Sequence, residues 1–309
     1  MHATRPSTTL LALSFASVYL IWGSSFAATK FMVGGLPPFL AGGARFTVAG
    51  LLLALVALLL GQALPRAARD WRHVAVMALL QVVLSSGFNV LAMRHIASNQ
   101  SALLNASSAL WIPLVGAFGA RGHALTARVA TGIGIGFTGL ALLLWPRVGL
   151  TLDGLGWQLV AVGACFAWAL GTLYYRGIHT AMPMLMFIAL EMLLGGLMLG
   201  ALGTAFGEGE RWRFDPPALA ALGFLMLFSS GLAYTAFGYL MVHTTPARLS
   251  TYAYVNPVIA AVVGWWLLGE RMSATQLAGT GVILLGVLIV SLPDAATEPQ
   301  AAPPTEPTG

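Results

Sequence analysis

The sequence predicts an all-α integral membrane protein of ten transmembrane helices, arranged as two inverted five-helix repeats. Three observations carry that expectation. Of 309 residues, 58% are hydrophobic and only 8% are charged, whereas roughly a quarter of an ordinary soluble domain is charged. Ten apolar runs follow one another along the chain, each near the about 17 to 25 residues that span a bilayer core of about 30 Å. The first half also matches the second, in order, at a nearly constant offset.

The runs lie near residues 9–29, 37–60, 73–93, 101–119, 128–145, 154–175, 183–203, 217–241, 249–268 and 276–292. The first follows Arg5 and ends on SSFAA, the order of a cleaved signal peptide. It is longer than the roughly 7 to 15 apolar residues usual there and has a counterpart deep in the chain, so it reads as a span. The second opens at Pro37, and the third follows the polar RAARDWR. The third and fourth carry polar side chains at helical spacing, the fifth contains TGIGIGFTG, and the sixth holds the single cysteine, Cys165. The seventh opens at Pro183, the eighth follows EGERWRFDP, the ninth contains Asn256-Pro257, and the tenth contains GTGVILLGV. Residues 293–309 are rich in Pro, Ala and Thr without apolar periodicity, the composition of a disordered tail. The expected organisation is a short cytoplasmic N-terminus (1–8), a first repeat (9–146), a second repeat (154–292) and a disordered cytoplasmic tail (293–309).

An offset of 146 places Trp22 on Trp168, Lys30 on Arg176, Pro37 on Pro183 and Gly50 on Gly196. One extra residue in the middle loop makes it 147, and Gly132 then meets Gly279, Gly139 meets Gly286 and Pro146 meets Pro293. Five spans is an odd number, so the second half enters the membrane in the opposite sense. Inverted repeats are a construction of secondary transporters, whose substrate site lies near the midplane between the halves. Orientation follows from basic residues in the connections. With the N-terminus inside, Arg5, Arg66, Arg69, Arg72, Arg121, Arg128, Arg176 and Arg248 are cytoplasmic, against Lys30, Arg94, Arg147, Arg211, Arg213 and Arg271 outside, a small excess that favours both termini cytoplasmic.

Composition also excludes functions. The net charge of +5 comes with no basic stripe interleaved with aromatics, so no nucleic-acid partner is expected. Cys165 has no CxxC or Cys/His companion, so neither a disulfide nor a metal is expected, and no cofactor. No GxxxxGK[ST] phosphate loop occurs, which excludes an ATP-driven pump within this chain. Gly134-x-Gly136-x-x-Gly139 spells a dinucleotide fingerprint but lies inside an apolar span without a preceding strand. Gly132 and Gly136 also form GxxxG, which suits close packing against a neighbouring helix or a homodimer seam.

The stretches YLIWGSSF, PPFLAGGARF, Asn256-Pro257, LLGE-Arg271 and GTGVILLGV together resemble the EamA-type transporters of the drug/metabolite transporter superfamily, over about residues 9–292. The resemblance implies ten helices in two inverted repeats, cytoplasmic termini and a central cavity lined mainly by the first, third, fourth, sixth, eighth and ninth helices. The family pattern of a Pro and a Glu in both halves is met by Pro257 and Glu270 in the second, whereas the first has Leu110 and His123.

Polar residues facing lipid are costly, so their spacing marks the face that looks at protein or water. Gln81, Ser85 and Asn89 make one stripe on the third span, Ser101, Asn105 and Ser108 another on the fourth. Ser230 and Tyr234 share a face on the eighth, Tyr252 and Asn256 on the ninth. Interhelical hydrogen bonding explains single serines; Asn89, Tyr252 and Asn256 point to a shared pocket. Trp71, Trp145, Trp157 and Trp212 fall near span ends as interface anchors. Trp22, Trp111, Trp168, Trp265 and Trp266 sit deeper, and the repeat-related Trp22 and Trp168 are placed either to sandwich a ligand or to pack the core. The candidate substrate site is therefore Trp22, Gln81, Asn89, Asn105, Trp168, Tyr234, Tyr252 and Asn256.

Arg45 and Glu191 are the charged mid-span residues and occupy equivalent positions at offset 146. Arg45 has three possible fates: to snorkel to the outer interface, to hold a substrate carboxylate, or to pair with Glu191. Burial favours the neutral form of a carboxyl group, so Glu191 is either structural or the carrier of a coupling proton. The expected function is a multi-pass inner-membrane exporter of small metabolites, amino acids or their analogues, or of drug-like compounds, with membrane lipid and the small molecule as its partners. A membrane-embedded enzyme or a non-transporting receptor is the alternative. An enzyme needs paired acids, a His cluster or a Ser/Lys arrangement within the bilayer, and only Arg45 and Glu191 offer charge there.

Overall fold

The computed structural model describes residues 7–118, 125–144, 152–244, 246–249 and 251–292, and among them every regular element is helical. In chain order the main helices are α1 (Thr8–Gly35), α2 (Pro38–Leu59), α3 (Ala68–Ala92), α4 (Ser98–Ala106), α5 (Ser108–Ala117), α6 (Ala127–Leu144), α7 (Leu152–Gly177), α8 (Met184–Ala205), α9 (Pro216–Leu240), α10 (Tyr252–Leu268) and α11 (Ala274–Ser291). Eight of them, all but α4, α5 and α10, are long and apolar enough to cross a membrane, and α10 is a shorter apolar helix of 17 residues. The chain is a multi-pass integral membrane protein. Arg5, Arg121, His123, Trp145, Pro146, Arg147 and the tail 293–309 lie outside the described residues.

Local chemistry starts and stops these helices. Proline opens α2, α8 and α9 through Pro37-Pro38, Pro183 and Pro216, where a missing N–H costs nothing. Asp215 accepts from Ala218 N, and Ser273 and Gln276 close a reciprocal capping box at α11. The N-terminus of α4 is satisfied from a distance: Glu270 accepts from Ser98 N (2.7 Å), Ser98 Oγ (2.8 Å) and Asn99 N (3.0 Å). Lys30 donates to the carbonyls of Met93 and Ile96 at the other side of that hairpin, both at 2.7 Å. An acid and a base from α1 and the α10–α11 connection thus hold the α3–α4 turn.

The run expected as one span over 101–119 is broken into α4 and α5. The carbonyl of Leu104 collects three donors, Ser107 N (3.0 Å), Ser107 Oγ (2.6 Å) and Cys165 Sγ (3.3 Å). Ser107 tightens the turn, and the chain restarts at Ser108. Three other stretches depart from α geometry: Val18–Trp22, Ala78–Gly87 and Leu225–Ala233 are π-helical, a form often found at functional sites. The last two occupy corresponding positions of the two halves.

Two helix pairs dominate the packing, α2 with α8 and α6 with α11, and both are backbone seams. A Cβ on Gly43 would lie 3.0 Å from the carbonyl oxygen of Gly196, and one on Gly50 2.8 Å from that of Ala189. At the second seam, Cβ atoms on Gly139 and Gly286 would lie 2.5 Å from Ile283 N and 2.4 Å from Gly136 N. The GxxxG glycines Gly132 and Gly136 thus face α11 and α5 of the same chain. Trp265 and Trp266, expected deep, are 63% and 75% exposed on α10. Their positions fall in its last turn, where the flank facing the surroundings is apolar.

Candidate functional site

Among the described residues, two cavities within the bundle lie along α3, which runs past both. The larger, of about 130 Å³, borders Ser85, Ser86, Asn89, Val90 and Met93 on and just beyond the second half of α3. The smaller, of about 40 Å³, borders Met77 and Gln81 one to two turns earlier. Tyr234 of α9 lines both.

The larger cavity is walled by Trp22, Ser25, Phe26 and Thr29 of α1, Arg45 and Phe46 of α2, and Asn105 of α4. Trp168 of α7, Ser229 and Tyr234 of α9, and Tyr252 and Asn256 of α10 complete it. Arg45 is held by two hydroxyls of α9. Its Nε donates to Ser230 Oγ at 2.8 Å and its Nη2 to Ser229 Oγ at 3.0 Å, and the guanidinium carbon stands 4.7 Å from the Phe46 ring centroid. Arg45 therefore neither runs to an interface nor pairs with Glu191; it is a half-buried cation facing a cavity. Asn256, 6% exposed, leaves Oδ1 buried without a hydrogen-bond partner. Asn89 Oδ1 accepts from Ser101 Oγ at 2.7 Å, which fixes that amide across the α3–α4 hairpin.

The wall between the cavities is aromatic. Trp22 and Trp168 meet edge to face, with centroids 6.4 Å apart and planes at 87°. Trp22 also meets Tyr234 and Tyr252, each at 5.8 Å, and Trp168 meets Phe237 at 6.5 Å. Edge-to-face pairs at these separations are in contact, so the two indoles leave no slot between them; a ligand can stack only on their outer faces. Trp22 Nε1 donates to the carbonyl of Ser229 at 3.2 Å, inside the π-helical stretch of α9. The Tyr234 hydroxyl donates to Gln81 Oε1 at 3.0 Å, and Gln81 Nε2 to Thr172 Oγ1 at 3.4 Å.

Of the residues that the sequence singles out, Trp22, Arg45, Asn89, Asn105, Trp168, Tyr234, Tyr252 and Asn256 border the larger cavity. Gln81 and Glu191 border the smaller one, with Thr172, Tyr175, Arg176 and the apolar Phe187, Ile188 and Phe237. The stripe Gln81, Ser85, Asn89 thus divides between two spaces. Sequence reasoning missed Ser25, Thr29, Phe46, Ser86 and Ser229. A signal existed for α1: Trp22, Ser25, Phe26 and Thr29 recur at i, i+3, i+4 and i+7, one helix face. Ser229 had none, because it sits beside the expected Ser230 in a π-helical turn.

Comparison with known proteins follows this geometry. The model of the EamA-like transporter family matches the chain twice, over residues 9–145 and 155–292. The sequence is 32% identical over 280 residues to the uncharacterized inner membrane transporter YedA of Escherichia coli K12, covering 89% of each chain. It is 25% identical over 301 residues to the uncharacterized transporter YvbV of Bacillus subtilis, covering 95% of each. A crystal structure sharing 19% sequence identity superposes with a TM-score of 0.65 over 93% of this chain and 96% of its own, a likeness of fold.

Proposed function

The chain belongs to the EamA-like transporter family, and from that premise we propose that it is a secondary transporter of the bacterial inner membrane, exporting small zwitterionic metabolites of amino-acid size. Transport is the reading that its relatives' names carry, and the inner membrane is the location named for YedA. The observation that carries the substrate class is the pairing of groups around the larger cavity: a half-buried guanidinium, Arg45, and a buried acceptor without a donor, Asn256 Oδ1. A carboxylate answers the first, an ammonium the second, and the faces of Trp22 and Tyr252 offer the ammonium a cation–π surface. At about 130 Å³ the cavity is smaller than the roughly 300 to 1,000 Å³ of drug-sized pockets, which favours a metabolite over a drug-like compound.

We assign it ten membrane passes, with α4 and α5 together making the fourth, in two inverted repeats with cytoplasmic termini. Support comes from the family model matching once to each half and from seams whose contacts are reciprocal under the repeat offset. Cysteines introduced as Ser7→Cys and Thr305→Cys are expected to react with an impermeant maleimide from the same, cytoplasmic face. Reaction from opposite faces would refute the layout.

The function is tested by counterflow of radiolabelled amino acids, with purines and dyes as competitors, in proteoliposomes of the purified protein. Asn256→Ala is expected to lower amino-acid flux about tenfold at unchanged protein level, the worth of one hydrogen bond to a charged group, about 1.5 kcal/mol. Flux at the wild-type rate in that variant removes Asn256 from the site; no amino-acid flux in the wild type removes the substrate class.

A further inference from the structure

The smaller chamber lies on the other side of Tyr234 from the solute cavity, and it holds an acidic group with one unpartnered oxygen. Glu191 is 2% exposed, and its Oε1 is buried without a hydrogen-bond partner. An ionised carboxylate taken out of water costs far more than a hydrogen bond returns, so such a group binds a cation or a proton. The choice between them follows from the oxygens present. Hard cations require about six oxygen ligands. Around Glu191 the chamber offers Gln81 Oε1, already accepting from Tyr234, and Thr172 Oγ1, already donating to the carbonyl of Trp168 at 2.9 Å. The rest of the polar lining is Tyr234, Tyr175 and Arg176, and Met77, Phe187, Ile188 and Phe237 are apolar. A metal ion finds too few ligands there, whereas a proton needs one oxygen.

We propose that the smaller chamber is a proton-binding site, that Glu191 is its protonatable group, and that Tyr234 divides it from the solute cavity. The charged and titratable groups on the elements packed against Glu191 fit that role. Arg176, exposed at the end of α7, also lines the chamber. Arg45 of α2 is held on the far side of Tyr234 by Ser229 and Ser230. His73 of α3 is engaged by the Tyr174 hydroxyl at 2.7 Å. Tyr175 lines both this chamber and a groove along residues 178–184. The chamber's volume of about 40 Å³ exceeds the roughly 10 to 15 Å³ that one water requires, so a proton can arrive by water. Tyr234 communicates the change. Its hydroxyl donates to Gln81 and faces the Glu191 carboxyl as well, so loss of the proton creates a second, charged acceptor for the same O–H. The residue that would turn is one that lines the solute cavity too.

Proton binding is measured without any solute, by infrared difference spectroscopy of the lipid-reconstituted protein between acidic and alkaline buffer. The wild type is expected to show a protonated-carboxyl C=O stretch that titrates. E191Q should remove that component and E191D should move it in frequency, since the aspartyl carboxyl absorbs elsewhere. A band unaltered in both variants, or no titrating band in the wild type, overturns the proposal. If E191Q does not fold, the frequency shift in E191D decides alone. Coupling rests on the transporter reading and is read separately. One unit of inward-acid pH gradient supports about tenfold accumulation of labelled amino acid per coupled proton, and E191Q is expected to reduce that ratio to unity. A wild type that moves no amino acid defeats the transporter reading alone, because the infrared band still decides the proton site.

Discussion

Arg45→Gln is expected to abolish selective binding of carboxylate-bearing solutes while leaving the protein folded. Two of the guanidinium's donors are spent on Ser229 and Ser230, and neither of these bonds uses Nη1. The serines orient the group without neutralising it, so its charge remains for a ligand. Removing one member of a desolvated ion pair typically costs about 2 to 5 kcal/mol, which is roughly 30- to 4,000-fold in affinity. The check is a pair of solutes, an amino acid and its amide, measured by competition in proteoliposomes. The wild type should prefer the acid, and Arg45→Gln should bind both equally weakly. Arg45→Lys should restore little, since an ammonium cannot reach both serines and present a fork to a carboxylate. Undiminished preference for the acid in Arg45→Gln would assign the cation a packing role.

Gly196→Ala is expected to destabilise the protein more than any substitution at the cavity. The added Cβ would stand 2.4 Å from Thr47 N, 2.6 Å from Thr47 Oγ1 and 2.9 Å from Gly43 O. Two of these are backbone atoms, which cannot rotate away, so α2 and α8 must separate. Overpacking a rigid site costs about 1 to 3 kcal/mol, and helix separation along a seam lies at the upper end of that range. Gly200→Ala is the control. Nothing lies within 4 Å of its Cβ, and alanine favours a helix over glycine by about 1 kcal/mol. Thermal unfolding in detergent should therefore drop for Gly196→Ala and hold or rise for Gly200→Ala. The reverse order would mean that the helices are not in backbone contact.

How far the sequence could be read depended on the period assumed. Apolar runs announce membrane helices whatever their inner hydrogen bonding, so eight long apolar helices and the shorter Tyr252–Leu268 lie where the runs do. Faces are less secure. An i, i+4 stripe presumes α geometry, and Ala78–Gly87 and Leu225–Ala233 are π-helical. Gln81 therefore parts from Ser85 and Asn89, and Ser229 joins Ser230 in holding Arg45. The division of the run near 101–119 also escaped: beside Ser107, one of the donors to the Leu104 carbonyl is Cys165, from a helix 61 residues away in sequence. Glycine was legible in part: Gly50, Gly132, Gly139, Gly196 and Gly286 mark the repeat and Gly132-xxx-Gly136 reads as a packing face, but which helices meet there shows only in the contacts.

The seams carry an implication for ancestry. Gly43 meets Gly196, and shifting both by one repeat gives Ala189 meeting Gly50, which also occurs. Gly139 meets Gly279, and its image, Gly286 meeting Gly132, occurs as well. Contacts in which i meets j and the equivalent of j meets the equivalent of i belong to an isologous surface, the type by which identical subunits form closed pairs. The α2–α8 and α6–α11 pairs therefore each hold both faces of one interface. A gene of half this length would already encode a self-complementary surface, and fusing two copies end to end would have required no new contact to be invented, only a connection.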